Sequence, residues 1–260
     1  MIAVHLNRKE DDFLSGYSKL ETPDERIEHK VEGSLLFDGH EELIKQYEKI
    51  LATNNSDGIM KELLPQVTTV LKPEQINSFL QATVRYEDNK KYEEYTGLFI
   101  TRLIQNSPDA GNNKFTFNTQ AISRRIEGIG FKLIGKEERA LEIIIDGNIG
   151  EWSCSGAKNI REIYISGNAG SWCGDSAHNI ERFSIMGDVG SLCGYGAMNI
   201  KEFYIVGDAG HSCGSWGENL AFKTPNKQTL QLLKENVPKG KNNKIYFIHP
   251  NNQEEEIKIW

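Results

Sequence analysis

A unit of 20 residues is repeated four times between residues 143 and 220, and it constrains the fold more than any other feature of the chain. Each unit carries glycine at two fixed positions and an asparagine followed by isoleucine or leucine. The second glycine position is occupied by Gly150, Gly170, Gly190 and Gly210, and the asparagine position by Asn159, Asn179, Asn199 and Asn219. A fixed period of this length is typical of solenoids, in which each turn buries its apolar face against its neighbours. The repeat predicts an architecture and does not by itself specify an activity.

Within each unit the hydrophobic pattern is that of a strand. In the third unit, Phe183 and Ile185 alternate with Ser184 and Met186, so the first pair should point inward. Further inward positions carry small residues, for example Ala157, Ala177 and Ala197, and these predict a narrow core. The two glycine positions predict corners where two backbones approach closely or φ is positive.

Two polar patterns predict that the turns stack in register. At one position the repeats carry Arg161, Glu181 and Lys201, and at the next Glu162, Arg182 and Glu202, so the charge alternates along both columns. Strands stacked about 4.8 Å apart would place opposite charges next to each other, whereas a helical repeat gives no reason for the alternation. The asparagines have two explanations, a hydrogen-bonded ladder of amides or a left-handed backbone position that asparagine tolerates.

The flanking segments read differently from the repeats. A short strand is predicted from Ile2 to Leu6, and helical spacing begins near Asp38, which forms a capping-box pattern with Glu41. Pro73 stands where a third helix should begin, and Asp88 is a candidate cap for a fourth. The fourth helix would bury Tyr92, Tyr95, Phe99 and Leu103.

The predicted fold class is α+β, with an α-helical amino-terminal region before a short right-handed parallel β-helix. Strand-like pieces at 114–117 and 131–134 are interpreted as a degenerate entry turn. A helix at 227–236 and a hairpin of 244–249 with 255–260 should cover the far end. The expected divisions are residues 1–113 for the helical region, 114–222 for the β-helix and 223–260 for the cap.

The string Gly-[Asp/Asn]-x-Gly-x-x-Cys-Gly, at residues 167–174, 187–194 and 207–214, resembles the GXGXG repeats of the glutamate synthase carboxy-terminal domain. It is equally similar to the GXGXG-containing subunit of formylmethanofuran dehydrogenase. The resemblance covers about residues 143–220 and implies a right-handed β-helix that supports the assembly of a larger enzyme. The chain departs from those families by carrying Asn-Ile where they usually carry a glycine pair, and by shifting the first cysteine to Cys154, with Ser153 in its place.

A leucine-rich repeat is the alternative architecture. Residues 160–168 obey the pattern L-x-x-L-x-L-x-x-N, and the next units place Asp188 and Asp208 at the asparagine position. The position two residues later should be large and apolar in such a repeat, but it is Gly170, Gly190 or Gly210 here. The β-helix is therefore the favoured interpretation.

Composition excludes several classes of function. The net charge is −7 and the basic residues form no run longer than a pair, which argues against nucleic-acid binding. No apolar stretch approaches the roughly 20 residues that span a bilayer, and the charged amino terminus does not read as a secretory signal. We expect a cytoplasmic protein with reduced thiols and no membrane association.

No catalytic, cofactor-binding or metal-binding residues are predicted. Cys173, Cys193 and Cys213, together with Cys154, lie one per unit, in a row instead of around a point, which favours a buried ladder over a zinc site. The group formed by Asp175, Ser176 and His178 is too compact for a catalytic triad. Asp188 and Asp208 stack two carboxylates, which leaves a bound cation as a weak alternative.

One column suggests a binding surface. Trp152, Trp172 and Leu192 should point outward and form an apolar stripe, unless the amino-terminal helices cover it.

Three hypotheses of function follow. The first is a non-catalytic scaffold with an unidentified protein partner. The second, from the family resemblance, is an accessory subunit of a multi-subunit oxidoreductase. The third is a module that binds a small ligand or a cation.

Overall fold

The computed structural model describes residues 40–54, 58–108, 111–136 and 140–259. The strand predicted at Ile2–Leu6 and the capping residue Asp38 lie outside the described residues, as does Trp260 at the end of the predicted hairpin. Among the described residues, no helix is both long enough and apolar enough to cross a membrane.

The amino-terminal described region is helical. Helix α1 is Glu41–Ala52, a π-helix at Ile59–Leu63 continues into the short α2 at Leu64–Gln66, α3 is Pro73–Ala82, a 3₁₀ helix follows at Thr83–Tyr86, and α4 is Tyr92–Asn106. Pro73 occupies the first turn of α3, where its missing N–H is not needed. The predicted face of α4 is buried, and Phe79, Phe99 and Tyr47 pack ring against ring at 5.2–5.4 Å between centroids.

The rest of the chain is a parallel β-solenoid of about five turns. We call them coils 1 to 5 in chain order, and they contain the equivalent corners at residues 128–132, 152–156, 172–176, 192–196 and 212–216. Its strands are β1 Lys114–Asn118, β2 Leu141–Asp146, β3 Lys158–Ile165, β4 His178–Ile185, β5 Met198–Ile205 and β6 Glu218–Thr224. Helix α5, Lys227–Asn236, and the strands β7 Lys244–Ile248 and β8 Glu254–Ile257 follow. One sheet contains the strands in chain order; all neighbours are parallel except β7 and β8, which form the expected hairpin.

The register of the strands aligns equivalent residues of successive coils. Ile160 pairs with Ile180 and Ile180 with Ile200, while Phe183 pairs with Phe203. A second line of parallel bridges joins Ile149, Ala169, Val189 and Ala209. A leucine-rich repeat would add a helical or 3₁₀ segment to each unit, but residues 141–224 contain only strands, bridges and turns. The structure therefore supports the β-helix interpretation.

The core of the solenoid is narrow, and its side chains are buried. Phe183, Ile185, Phe203 and Ile205 are 0% exposed, as are Ala177 and Ala197. The rings of Phe183 and Phe203 stack with centroids 4.8 Å apart, and Phe222 continues the stack at 4.9 Å. Because the spacing of stacked strands is also about 4.8 Å, the aromatic column repeats at the distance that the backbone sets.

The glycine column lies where the coils approach most closely. Gly170, Gly190 and Gly210 each donate a backbone hydrogen bond to the preceding coil, to Ile149, Ala169 and Val189 respectively. A Cβ atom at any of these glycines would lie 2.5 or 2.6 Å from backbone atoms of that coil. These glycines are therefore aligned, as the repeat requires.

The charged columns form ion pairs between coils. Arg182 bridges Glu162 at 3.4 Å and Glu202 at 3.1 Å, and Lys201 lies 3.1 Å from Glu181. Arg161 departs from the predicted partner and pairs with Glu142 of the preceding strand at 3.1 Å. Lys223 extends the pattern toward the cap by contacting Glu202 and Glu254.

Helix α5 covers one corner of the last coil. Asn226 caps the helix by accepting from the N–H groups of Gln228 and Thr229, and its amide donates to Asp208 at 2.9 Å. The Thr229 hydroxyl donates to the carbonyl of Gly207 at 2.8 Å. These bonds satisfy the Asp208 carboxylate and the Gly207 carbonyl, which would otherwise bond to a further coil.

Two local predictions are wrong. Asp88 does not cap α4, which begins at Tyr92, because a 3₁₀ helix and a turn occupy residues 83–91. Residues 131–134 do not form a strand; the chain turns at 129–132, and only Ile134 makes an isolated bridge, to Lys158.

Candidate functional site

One corner of the solenoid holds large side chains in the left-handed region of backbone space. In every coil, this corner has three residues of positive φ at alternate positions. In coils 1 to 5 they are Gly128, Gly130 and Lys132; Trp152, Cys154 and Gly156; Trp172, Gly174 and Ser176; Leu192, Gly194 and Gly196; and Ser212, Gly214 and Trp216. Left-handed backbone favours glycine and is unusual for bulky residues. The identity of the side chains at this corner therefore needs an explanation other than backbone preference.

The first of these three positions carries the stripe predicted from the sequence, which we name the Trp edge: Trp152, Trp172 and Leu192. Trp152 is 40% exposed, and Trp172 and Leu192 are half-buried. The two indoles lie parallel, with an interplanar angle of 4° and centroids 4.8 Å apart. Successive coils thus build a continuous apolar edge from one side chain per coil.

Two aromatic residues that the sequence analysis did not single out lie at the same corner. Tyr195 meets Trp172 edge to face, with ring centroids 6.0 Å apart. Trp216, in coil 5, is 76% exposed. Both stand at repeat positions that the other coils among 2 to 5 fill with glycine, serine or aspartate, and this deviation from the repeat is the signal that would have identified them.

The amino-terminal helices cap the solenoid beside the Trp edge. The Thr101 hydroxyl of α4 donates to Gly128 O at 3.1 Å and accepts from Gly130 N at 2.8 Å, so the helix replaces a missing coil. Gly97 allows the approach, because a Cβ there would lie 1.7 Å from the carbonyl oxygen of Glu127. With Trp152 still 40% exposed, these described helices do not cover the Trp edge.

An open groove of about 730 Å³ lies between α4, the first coil and the glycine column. We name it the acidic groove, because four carboxylates and two arginines line it: Glu93, Glu127, Glu151, Asp188, Arg124 and Arg125. Glu151 and Ser171, which also line it, immediately precede Trp152 and Trp172 in the chain. The groove and the Trp edge are therefore adjacent along the chain in coils 2 and 3.

Arg124 is already engaged within the groove. Its guanidinium binds both carboxylate oxygens of Glu93, at 3.1 and 2.8 Å, and donates to the carbonyls of Glu87 and Asn89. The hydrogen bond to Glu93 raises the pKa of this arginine. Burial, with Glu93 and Glu151 nearby, raises the pKa of Glu127 above its usual value. Burial and the neighbouring carboxylates thus oppose ionisation of Glu127, while Arg124 favours it.

The cysteine column is inert. Cys154, Cys173, Cys193 and Cys213 are free thiols and at most 1% exposed. Burial and the adjacent thiol of Cys173 raise the pKa of Cys154. Such thiols pack as small apolar residues and are poor nucleophiles.

The asparagine column satisfies both explanations given for it. The amides of Asn179, Asn199 and Asn219 each donate to the preceding asparagine, at 3.1, 3.1 and 2.9 Å, and Asn242 extends this asparagine ladder by donating to Asn219 at 2.9 Å. These four residues and Asn159, which accepts from Asn179, all have φ of 54–56°. A shallow depression of about 510 Å³ lies along the ladder. The amides bond mainly to one another, which indicates a structural role.

The remaining candidate groups do not assemble into a reactive site. Asp175 accepts from Ser155 and Ser176, each at 3.2 Å, and no hydrogen bond joins it to His178 in the described chain. Asp188 Oδ1 accepts the backbone N–H of Asp208 at 2.8 Å, and Asp208 Oδ1 accepts from Asn226. In the part of the chain that the structure describes, no three His, Cys, Asp or Glu side chains converge as metal ligands.

Comparison with models of protein families, with curated proteins and with solved structures finds no match for this chain. The interpretation of the site therefore depends on the geometry described above.

Proposed function

We propose that the protein is a non-catalytic β-solenoid scaffold that holds a protein partner on the Trp edge. The observation that carries this proposal is the presence of Trp152, Trp172 and Leu192 at left-handed positions in three successive coils. A non-glycine residue in this conformation costs on the order of 1–3 kcal/mol, and such strain clusters at functional sites.

The same position in the outer coils shows that the fold does not require a large side chain there. Coil 1 carries Gly128 and coil 5 carries Ser212 with the same sign of φ. The three inner coils thus accept exposed apolar surface that a glycine or serine would avoid, and backbone strain that a glycine would avoid. Exposed apolar patches of this kind mark contact surfaces, and tryptophan is enriched at the centre of protein interfaces.

The stacking of the rings favours a protein over a sugar as the partner. Stacked 4.8 Å apart, Trp152 and Trp172 each cover one face of the other. A ligand that stacks on successive aromatic faces, as a sugar chain does, therefore finds no room between the two rings. A partner side chain that packs along the edge of the stack is accommodated.

The proposal also includes the handedness of the coil, a second candidate function and a location in the cell. A right-handed coil is expected because parallel crossovers are right-handed. The resemblance to GXGXG repeats supports the second candidate, an accessory subunit of a multi-subunit oxidoreductase, which would use the same edge. We also propose a cytoplasmic location, which suits four reduced thiols.

The test replaces the three side chains of the Trp edge with serine, the residue that coil 5 carries at the same position as Ser212. The triple variant Trp152→Ser, Trp172→Ser, Leu192→Ser should fold and lose the proteins that copurify with the wild type. The matched control is Met198→Ser, which removes another exposed apolar side chain, 43% exposed, from a different column. Partners retained by the triple variant, or lost equally with the control, would refute a docking role for the Trp edge. Flavin, iron–sulfur or molybdenum proteins among the partners would favour the second candidate.

A further inference from the structure

The lining of the acidic groove carries an excess of negative charge. Four carboxylates face two arginines, and one of these, Arg124, is bound to Glu93. Within the described residues, no basic side chain lies within 4.0 Å of the Glu127, Glu151 or Asp188 carboxylates. Complementary charge on a partner is the usual counterpart of such a surface.

Glu127 is held in place by its surroundings. Its backbone N–H donates to Glu93 O at 3.1 Å, and its side chain packs against Gly150, where a Cβ atom would lie 2.6 Å from the Glu127 Cγ. The glycine at this corner thus leaves the space that the carboxylate side chain uses. A carboxylate positioned in this way is preorganised to meet a cation.

Trp152 has one ring face that is not stacked. Its only ring contact among the described residues is with Trp172 of the following coil. The corresponding residue of the preceding coil is Gly128, which has no side chain, and Gly128 N–H donates to Glu151 O at 2.9 Å. Glu151 thus directly precedes the first indole of the stack, and Glu127 directly precedes the glycine that bonds to Glu151.

We propose that the partner segment bound at this surface is a basic peptide, with an arginine side chain stacked on Trp152 and neutralised by Glu127 and Glu151. This inference rests on the proposed function and specifies the chemistry of the partner. An arginine plane on an indole face gains cation–π attraction, and its fork can donate to carboxylates at the same time. The net charge of −7 favours encounter with a basic segment.

The experiment compares matched peptides by fluorescence anisotropy on the full-length protein. The probe is a short labelled peptide in which arginine alternates with leucine, and its counterpart carries citrulline, a neutral isostere, at each arginine. We expect the arginine peptide to bind about tenfold more tightly, with an affinity that falls as salt is added. Equal binding of the two peptides would overturn the proposal.

Variants locate the binding site. The pair Glu127→Gln with Glu151→Gln should lower the affinity for the arginine peptide about tenfold, and Trp152→Ser should lower it while Trp152→Phe retains it. The control pair Glu62→Gln with Glu74→Gln, on exposed helical positions, should leave it unchanged. Binding that is unchanged in the Glu127 and Glu151 pair would refute the assignment. The assignment would also be refuted if calcium raised the melting temperature of the wild type and this pair abolished the rise without affecting peptide binding. The carboxylates would then hold an inorganic cation.

The two proposals fail in different ways. If the triple variant of the Trp edge loses its copurifying partner while the Glu127 and Glu151 pair keeps it, the scaffold function stands and the basic-peptide inference is wrong. If both variants keep the partner, both proposals are wrong.

Discussion

At the scale of single residues, the backbone conformation of each corner explains why certain positions repeat. The asparagines combine φ near 55° with an amide that bonds to the next coil, so neither property alone accounts for the column. The sequence predicted both alternatives and could not choose between them, because one residue type serves both. Substitutions can separate the two contributions.

Asn199→Gly keeps a backbone suited to positive φ and removes only the amide, which donates to Asn179 and accepts from Asn219. We expect a loss of about 1 kcal/mol in the free energy of unfolding, measured with urea. Asn199→Ala should lose about 1–2 kcal/mol more, because its Cβ opposes the left-handed conformation. A glycine variant as stable as the wild type would show that the ladder contributes nothing.

Close approach of the coils gives a second prediction at this scale. Gly190→Ala places a Cβ atom 2.5 Å from Ser171 N, so the coils must separate, and we expect destabilisation of about 2–4 kcal/mol. The control is Gly240→Ala, which has φ of +71° but no atom within 4 Å of the added Cβ. It should cost only about 1 kcal/mol. Equal effects in thermal melts would contradict the close packing at Gly190.

At the scale of elements, the strands of the repeats were predictable because period two and a narrow core leave little choice. Phe183, Ile185 and Ala177 lie inward where the alternation places them. The first coil was only partly predictable. Its corner reproduces the three left-handed positions with Gly128, Gly130 and Lys132, but the apolar residues Phe131, Leu133 and Ile134 give residues 131–134 the pattern of a strand. The 3₁₀ helix at Thr83–Tyr86 depends on tertiary contacts, such as the Thr83 hydroxyl bond to Tyr92, that no local pattern announces.

Ile185→Asp tests the inward face of β4. Ile185 is 0% exposed in a core without polar partners, so a carboxylate there should destabilise the solenoid by more than about 4 kcal/mol. Met186→Asp, at the adjacent half-buried position, should cost less than about 1 kcal/mol. If Ile185→Asp cannot be purified folded, Ile185→Val should still lose about 1 kcal/mol in urea unfolding. Similar stabilities of the two aspartate variants would refute the assigned orientation.

At the scale of the whole molecule, the surface that we propose as functional combines the Trp edge with the acidic groove between α4 and the first coil. The Trp edge follows from the repeat alone, and the sequence located it. The acidic groove required knowledge of how α4 caps the first coil, because Glu93 and Glu127 are far apart in sequence and join through Arg124 and backbone contacts. No repeat or spacing encodes that contact, so the groove could not be predicted.

The groove makes stability depend on pH in a defined direction. The folded-state pKa of Glu127 is raised, first by burial and then by Glu93 and Glu151, so its ionised form opposes folding above that value. This cost disappears as the pH falls through the raised pKa to below the ordinary value of 4.5. Glu127→Gln should therefore melt at a higher temperature than the wild type near neutral pH, and the difference should vanish in acid. Glu62→Gln serves as the control and should show little difference at either pH. A Glu127→Gln variant that is less stable at neutral pH would contradict an unfavourable environment for the ionised carboxylate.

The central claim is that successive coils are stacked in register, so that Trp152, Trp172 and Leu192 form one edge. Scalar couplings through hydrogen bonds, measured by NMR on deuterated protein, test it most directly. The structure predicts couplings from the amides of Gly174, Gly194 and Gly214 to the carbonyl carbons of Ser153, Cys173 and Cys193, which are one coil earlier. Couplings of these amides to carbonyls four residues back, or to no residue of the preceding coil, would contradict the stacked solenoid and the docking surface built on it.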